Sequence, residues 1–216
     1  MLRRRQRTKG LPTSSNSASS LHVHWDAGPG ATEIAVTLEV TDPPRTRHLH
    51  FWALQVSFAG AAGRRIGAAH LGLQWHPQHP GRTAVNWGGY RADGTGELGG
   101  TESSLPSATG NPNTRDLAWH PRTPYVLRIT SDGDGFVDDT LVRRLDIDGA
   151  THLTDPVVWS EVFAPCDAPS SAVRWTGVGS PARLTYQSYA DGGCTNTRST
   201  PDGEGRWVQR TNVERG

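Results

Sequence analysis

The chain has 216 residues, 34% of them hydrophobic, with 25 glycines, 15 prolines and a formal net charge of +1. This length suits one large domain or two small ones and can close an apolar core without a metal or a cross-link. No stretch approaches the ~18 apolar residues of a membrane-spanning helix, in keeping with a mean hydropathy of −0.56.

Residues 1–20 begin with Arg3, Arg4, Arg5, Arg7 and Lys9 and continue with Ser14, Ser15, Ser17, Ser19 and Ser20. With no aromatic residue among the charges, this segment is predicted to be a disordered, solvated arm rather than a nucleic-acid contact. It lacks the ~7–15 apolar residues of a secretory signal. As written the chain is expected in the cytoplasm, or outside the cell if a leader precedes it. Residues 21–216 are expected to form a single domain.

From there almost every segment has a period near two. Ile34, Val36, Leu38 and Val40 alternate with polar neighbours, the pattern of a half-buried strand. Between His48 and Phe58 both faces are apolar: Trp52, Leu54, Val56 and Phe58 on one, Leu49, Phe51 and Ala53 on the other. Such a strand is either covered on both sides or lines a groove with its second face. Ile66–Trp75 sets Ala69, Leu71, Leu73 and Trp75 against His70, Gly72, Gln74 and His76. Further strands are predicted over Arg82–Trp87, Pro124–Thr130, Thr140–Ile147, Val157–Phe163, Ala172–Val178, Ala182–Tyr189 and Arg206–Val213. About ten short strands separated by Gly/Pro turns specify an all-β, antiparallel two-sheet β-sandwich (jelly roll) with few or no helices. The polar stretch from Gly94 to Arg115 reads as a long loop, and loops of that length often shape a site.

Several groupings carry candidate chemistry. His70 and His76 share a strand face, but His76 and His79 flank prolines in a predicted turn and no carboxylate sits beside them at ligand spacing, so ordinary groove-lining histidines are expected rather than a metal site. Asp132, Asp134 and Asp138 alternate like calcium ligands, making calcium the only cofactor the sequence leaves open. The competing reading is an Asp-Gly hairpin turn between two strands. Cys166 and Cys194 lie in Pro- and Gly-rich loops and are compatible either with one disulfide or with two free thiols. Glu102 is the candidate catalytic acid, with Glu97, Asp93 or Glu161 as the second carboxylate that a glycosidase needs ~5–10 Å away. Signature motifs of serine hydrolases, zinc peptidases and nucleotide-binding folds are absent.

Eight tryptophans stand in this lean background. Most are expected in the core. Trp87, Tyr90 and Trp119 sit among His and Asn near loops, where rings and polar groups suit a sugar or another flat polar ligand. With His70, Gln74 and His76 they form the predicted ligand-binding set.

The segments Gly67-Ala-Ala-His-Leu-Gly-Leu-Gln-Trp75, Val85-Asn-Trp-Gly-Gly-Tyr90, Gly99-Gly-Thr-Glu-Ser103 and Trp119-His-Pro-Arg-Thr-Pro-Tyr-Val-Leu-Arg-Ile129 occur in a recurring order. Over about residues 45–190 the chain resembles uncharacterised bacterial domains of the concanavalin A-like lectin/glucanase jelly-roll type. The resemblance implies a two-sheet jelly roll, a link to carbohydrate, export from the cell, and Gln74, Trp87, Glu102 and Trp119 as groove positions. The expected function is a lectin-like module binding a glycan or another small polar ligand on one sheet face. The alternatives are a glycoside hydrolase or lyase using Glu102, or a groove for small-molecule secondary-metabolite chemistry.

Overall fold

The computed structural model describes residues 9–179, 182–185, 194, 197–203 and 205–211. Two antiparallel seven-stranded sheets face one another. Sheet A runs β12 (Arg183–Thr185), β1 (Ser19–His24), β10 (Ala150–Val162), β3 (His50–Gly60), β4 (Arg65–Trp75), β5 (Thr83–Arg91) and β6 (Thr114–Asp116). Sheet B runs β13 (Arg198–Pro201), β14 (Arg206–Thr211), β11 (Ser171–Thr176), β2 (Glu33–Asp42), β7 (Pro124–Thr130), β8 (Asp134–Val137) and β9 (Thr140–Arg144). Only two three-residue 3₁₀ turns, Ala61–Gly63 and Pro80–Arg82, interrupt the strands among the described residues. The all-β sandwich read from the sequence is therefore the observed architecture.

Alternation decides what fills the space between the sheets. Val36, Leu38 and Val40 of β2 meet Trp52, Leu54, Val56 and Phe58 of β3, together with Ala69, Leu71 and Leu73 of β4. A polar amide crosses this core and is engaged through both its oxygen and its nitrogen. The Gln209 side chain accepts from Ser160 Oγ (2.6 Å) and Trp175 Nε1 (2.9 Å), and donates to the Leu21 carbonyl (3.2 Å). A buried amide with its partners satisfied ties both sheets in one register, where an unpaired one would destabilise the fold.

Three local readings change. The disordered arm expected over 1–20 is not what its described part shows: Ser19 and Ser20 open β1, and Pro12, Ser14 and Ala18 are buried, while residues 1–8 lie outside the described residues. The predicted hairpin between β7 and β9 is a three-stranded meander, because Asp132-Gly133 turns into β8 and Asp138, at φ +50°, turns out of it. Cys166 and Cys194 form a disulfide with Cα atoms 5.2 Å apart, which selects one of the two alternatives left open. Part of the strand predicted over Ala182–Tyr189 lies outside the described residues.

Candidate functional site

The second apolar face of β3 makes the site. Phe51, Ala53, Val157 and Trp159 form a small apolar cluster on the side of sheet A turned away from the main core. Register places the surrounding groups in rows across the strands. His22, Trp159, Ala53 and Gly72 share one row, and His24, Val157, Gln55 and His70 the next. Glu161, Phe51 and Gln74 make a third.

A cavity of about 530 Å³ opens on this face. Its wall is aromatic where Phe51, Trp159 and His70 meet edge to face, with ring centroids 4.8 Å (Phe51–Trp159), 5.5 Å (Phe51–His70) and 5.7 Å (His70–Trp159) apart. Polar groups complete it: Asn16, His22, Gln55 and Glu161 toward one side, Arg65, Tyr90 and Arg91 toward the other. Asn16 Nδ2 donates to Glu161 Oε1 at 2.8 Å. Asn16 Oδ1 in turn accepts from Ser14 Oγ and from the Ala18 N–H, both at 3.2 Å, so a tight N-terminal turn fixes the amide. A second hollow of about 460 Å³ lies beside the first, at the end of β1, lined by Trp25, Asp26, Asp155 and Arg183 among others. His22 and His24, stacked 6.0 Å apart, stand between the two.

The electrostatics follow from burial. Burial pushes His22 down to about 4, with His24 adding to the effect, and burial alone pushes His70 down to about 4. Both are neutral near pH 7. Burial also raises the Glu161 carboxyl, against the hydrogen bond from Asn16, which favours the ionised form. Two wall residues keep polar atoms without a partner among the described residues: Trp159 Nε1 and His22 Nδ1 are both buried and unpaired.

Of the predicted site residues, His70 and Tyr90 line this cavity. Gln74 lies on the same sheet face but is buried beyond it, and its carbonyl accepts from Trp119 Nε1 at 3.2 Å. His76 packs against His79, ring centroids 4.5 Å apart, and six residues of strand, roughly 20 Å, separate it from His70. Trp87 and Trp119 are core residues, 0% and 2% exposed, so neither faces a ligand. Trp87 Nε1 is spent on the Gly133 carbonyl at 3.1 Å. Their aromatic and Asn neighbours resembled a binding loop, but alternation in β5 turns Val85 and Trp87 inward.

Glu102 is exposed on the loop that meets the edge of sheet B, where Thr101 N–H donates to the Arg144 carbonyl. It does not share a cavity with His70. Of the three candidate calcium ligands, Asp134 is held by Nε and Nη2 of Arg144 at 2.7 and 2.8 Å. Asp138 accepts from the Val126 N–H at 2.8 Å, and Asp132 is exposed in its turn. Among the described residues no group of three His, Cys, Asp or Glu could hold a metal ion.

The residues the sequence reading left out are Asn16, His22, Gln55, Arg65, Arg91 and Trp159; Glu161 entered only as a partner for Glu102. The available signal was the doubly apolar β3, whose second face needed a cover or a groove.

The class defined by this fold and site is a β-sandwich with a polar, aromatic-walled cavity on the outer face of one sheet. No protein-family model matches the chain, and no curated protein matches it. Among solved structures, scytalido-glutamic peptidase bound to a peptide-based transition-state analogue is similar at 10% identity and a TM-score of 0.44, over 94% of this chain and 100% of that one. The κ-carrageenase of Pseudoalteromonas carrageenovora, bound to an oligotetrasaccharide of κ-carrageenan, is similar at 8% identity and a TM-score of 0.36, over 95% and 85%. An alginate lyase of Pseudomonas aeruginosa follows at 12% identity and a TM-score of 0.28, over 78% and 65%. Likeness of this degree says nothing about activity, and the cavity must be read from its own residues.

Proposed function

We propose that the protein is a lectin-like module of the concanavalin A-like type and that the sheet A cavity binds a carbohydrate. The observation that carries this reading is the pair of buried, unpartnered polar atoms, Trp159 Nε1 and His22 Nδ1, in a wall of aromatic rings. An indole N–H left unpaired in a buried site costs stability unless a ligand or water supplies an acceptor. Rings that give flat apolar faces, beside Gln55, Asn16 and Tyr90 as orienting groups, match the two-sided character of a sugar. A glycan array followed by calorimetry tests it. Binding that Trp159→Ala weakens at least tenfold supports the reading, while an array without signal for the folded, disulfide-intact protein rejects it.

One observation favours a second reading, an enzyme on the same face. Among the described residues Glu161 is the single carboxyl in the cavity wall, and burial raises its proton affinity, as a proton donor or acceptor in a dry site requires. A lone carboxyl does not meet the two-carboxylate requirement of common glycosidases, so the supported chemistry is hydrolysis or elimination in which Glu161 carries the proton alone. Release of reducing or unsaturated ends from a bound polysaccharide, abolished by Glu161→Gln and retained in Glu102→Gln, supports catalysis. Binding with no products supports the lectin reading instead.

A further inference from the structure

The cavity has more donors than it can satisfy, and the excess is cationic. Trp159 Nε1 is unpartnered and Tyr90, 58% exposed, offers its hydroxyl at the rim. The principal wall acceptor, Glu161, already accepts a hydrogen bond from Asn16. Arg65 on β4 and Arg91 on β5 both line the cavity. Arg91 pairs across the ladder with Gly67, and Arg65 stands two positions from Gly67 on that adjacent strand, beyond a register shift. Neither guanidinium has an ion pair among the described residues. Asp93, the acid nearest in sequence to Arg91, feels the Arg91 charge without forming an ion pair; its carboxylate accepts from Thr95 N–H at 2.9 Å and Thr95 Oγ1 at 2.7 Å.

Two guanidinium groups without an ion pair at one end, rings along the wall and a carboxyl at the far end describe a ligand with a defined polarity. Resting on the carbohydrate reading above, we propose that the cavity selects an acidic oligosaccharide, one whose carboxylate or sulfate is held by Arg65 and Arg91 while another ring of the same oligosaccharide lies against Trp159 and Phe51. Guanidinium forks match both oxyanions in a planar, bidentate geometry. Glu161 sits across the cavity from the Arg pair, where it accepts from a sugar hydroxyl without repelling the anionic substituent.

Calorimetry with three tetrasaccharides of matched length tests this: one neutral, one built of uronates, one sulfated. The disulfide-intact protein is compared with the Arg65→Gln/Arg91→Gln double variant, the corresponding Lys double variant and Trp159→Phe. Both arginines are exposed at the rim, so the variants are expected to melt with the parent protein. The expected result is that one anionic oligosaccharide binds at least tenfold tighter than the neutral one, and more weakly as salt rises. The Gln pair removes that preference, a loss of roughly tenfold to a hundredfold, and the Lys pair restores part of it. Whether the uronate or the sulfate arm binds identifies the oxyanion. Equal or tighter binding of the neutral sugar, unchanged in the Gln pair but weakened by Trp159→Phe, overturns the acidic-saccharide proposal and leaves the carbohydrate reading standing. If no saccharide binds, or an acidic peptide binds in their place, both fall.

Discussion

Trp87 and Trp159 show how one residue type serves two ends in the same sheet. Trp87 is fully buried between the sheets, its Nε1 donating to Gly133 and its ring lying on Gly135, where an added Cβ would come within 2.8 Å of ring carbons. Trp87→Ala is expected to lower stability by about 3–5 kcal/mol, as large-to-small core changes do. Gly135→Ala should also destabilise by driving a methyl group into the ring. Urea unfolding measures both, and a midpoint unchanged in either variant would contradict the packing described. Trp159 lies on the opposite face with its Nε1 unpaired, so Trp159→Phe should cost ligand affinity and little stability. The sequence allowed grouping of residues by face but not the choice of which face is inside. Val157, Val158 and Trp159 are all apolar, and only pairing with β3, after the register shift between Thr154 and Val157, turns Val158 inward and Trp159 outward.

At the scale of elements, the N-terminal segment belongs to the site. Cys166 N–H donates to the Gly10 carbonyl at 2.8 Å and Cys194 N–H to Ser19 Oγ at 3.1 Å, so the two halves of the disulfide each hold this segment. The segment delivers Asn16 to Glu161. A cross-link over 28 positions stabilises by about 3–4 kcal/mol through the loop entropy it removes from the unfolded chain. Cys166→Ser/Cys194→Ser should lose that amount in chemical denaturation, and an unchanged unfolding free energy would refute the assignment. Asn16→Ala removes a hydrogen bond to the ionised carboxylate, so Glu161 should titrate at higher pH in the variant. Carbon-13 NMR of the glutamate carboxyls reads this directly, and a Glu161 titration unmoved or shifted downward would refute the role given to Asn16. This contact was illegible in the sequence because it joins positions 145 residues apart. The strands themselves were legible because alternation is local. The short β6, β8 and β13 were missed because three or four residues show no period, and β1 because its serines matched a polar tail.

For the whole molecule, buried histidines set the response to acid. His22, His50 and His70 are each held down to about 4 chiefly by burial, against an ordinary 6.5. Between those values the unfolded chain takes up protons that the folded chain refuses, so stability falls as pH drops from about 6.5 toward 4. Glu161 acts in the opposite sense: its raised affinity favours the folded state at low pH, and this contribution is lost as pH rises through the raised value. Three histidines outweigh one carboxyl, and urea midpoints should decline steadily across that window. A midpoint that stays flat or rises toward pH 4 would show these rings to be solvated.

The central claim is that the outer face of sheet A, through Trp159, is where this protein meets its ligand. The eight tryptophan indole signals in a ¹H–¹⁵N spectrum test it, with Trp159 assigned through the Trp159→Phe variant. On titration with the tightest-binding tetrasaccharide, the Trp159 signal should shift in proportion to saturation while those of the buried Trp87 and Trp119 stay in place. A Trp159 signal that stays fixed while the ligand binds elsewhere would contradict the account.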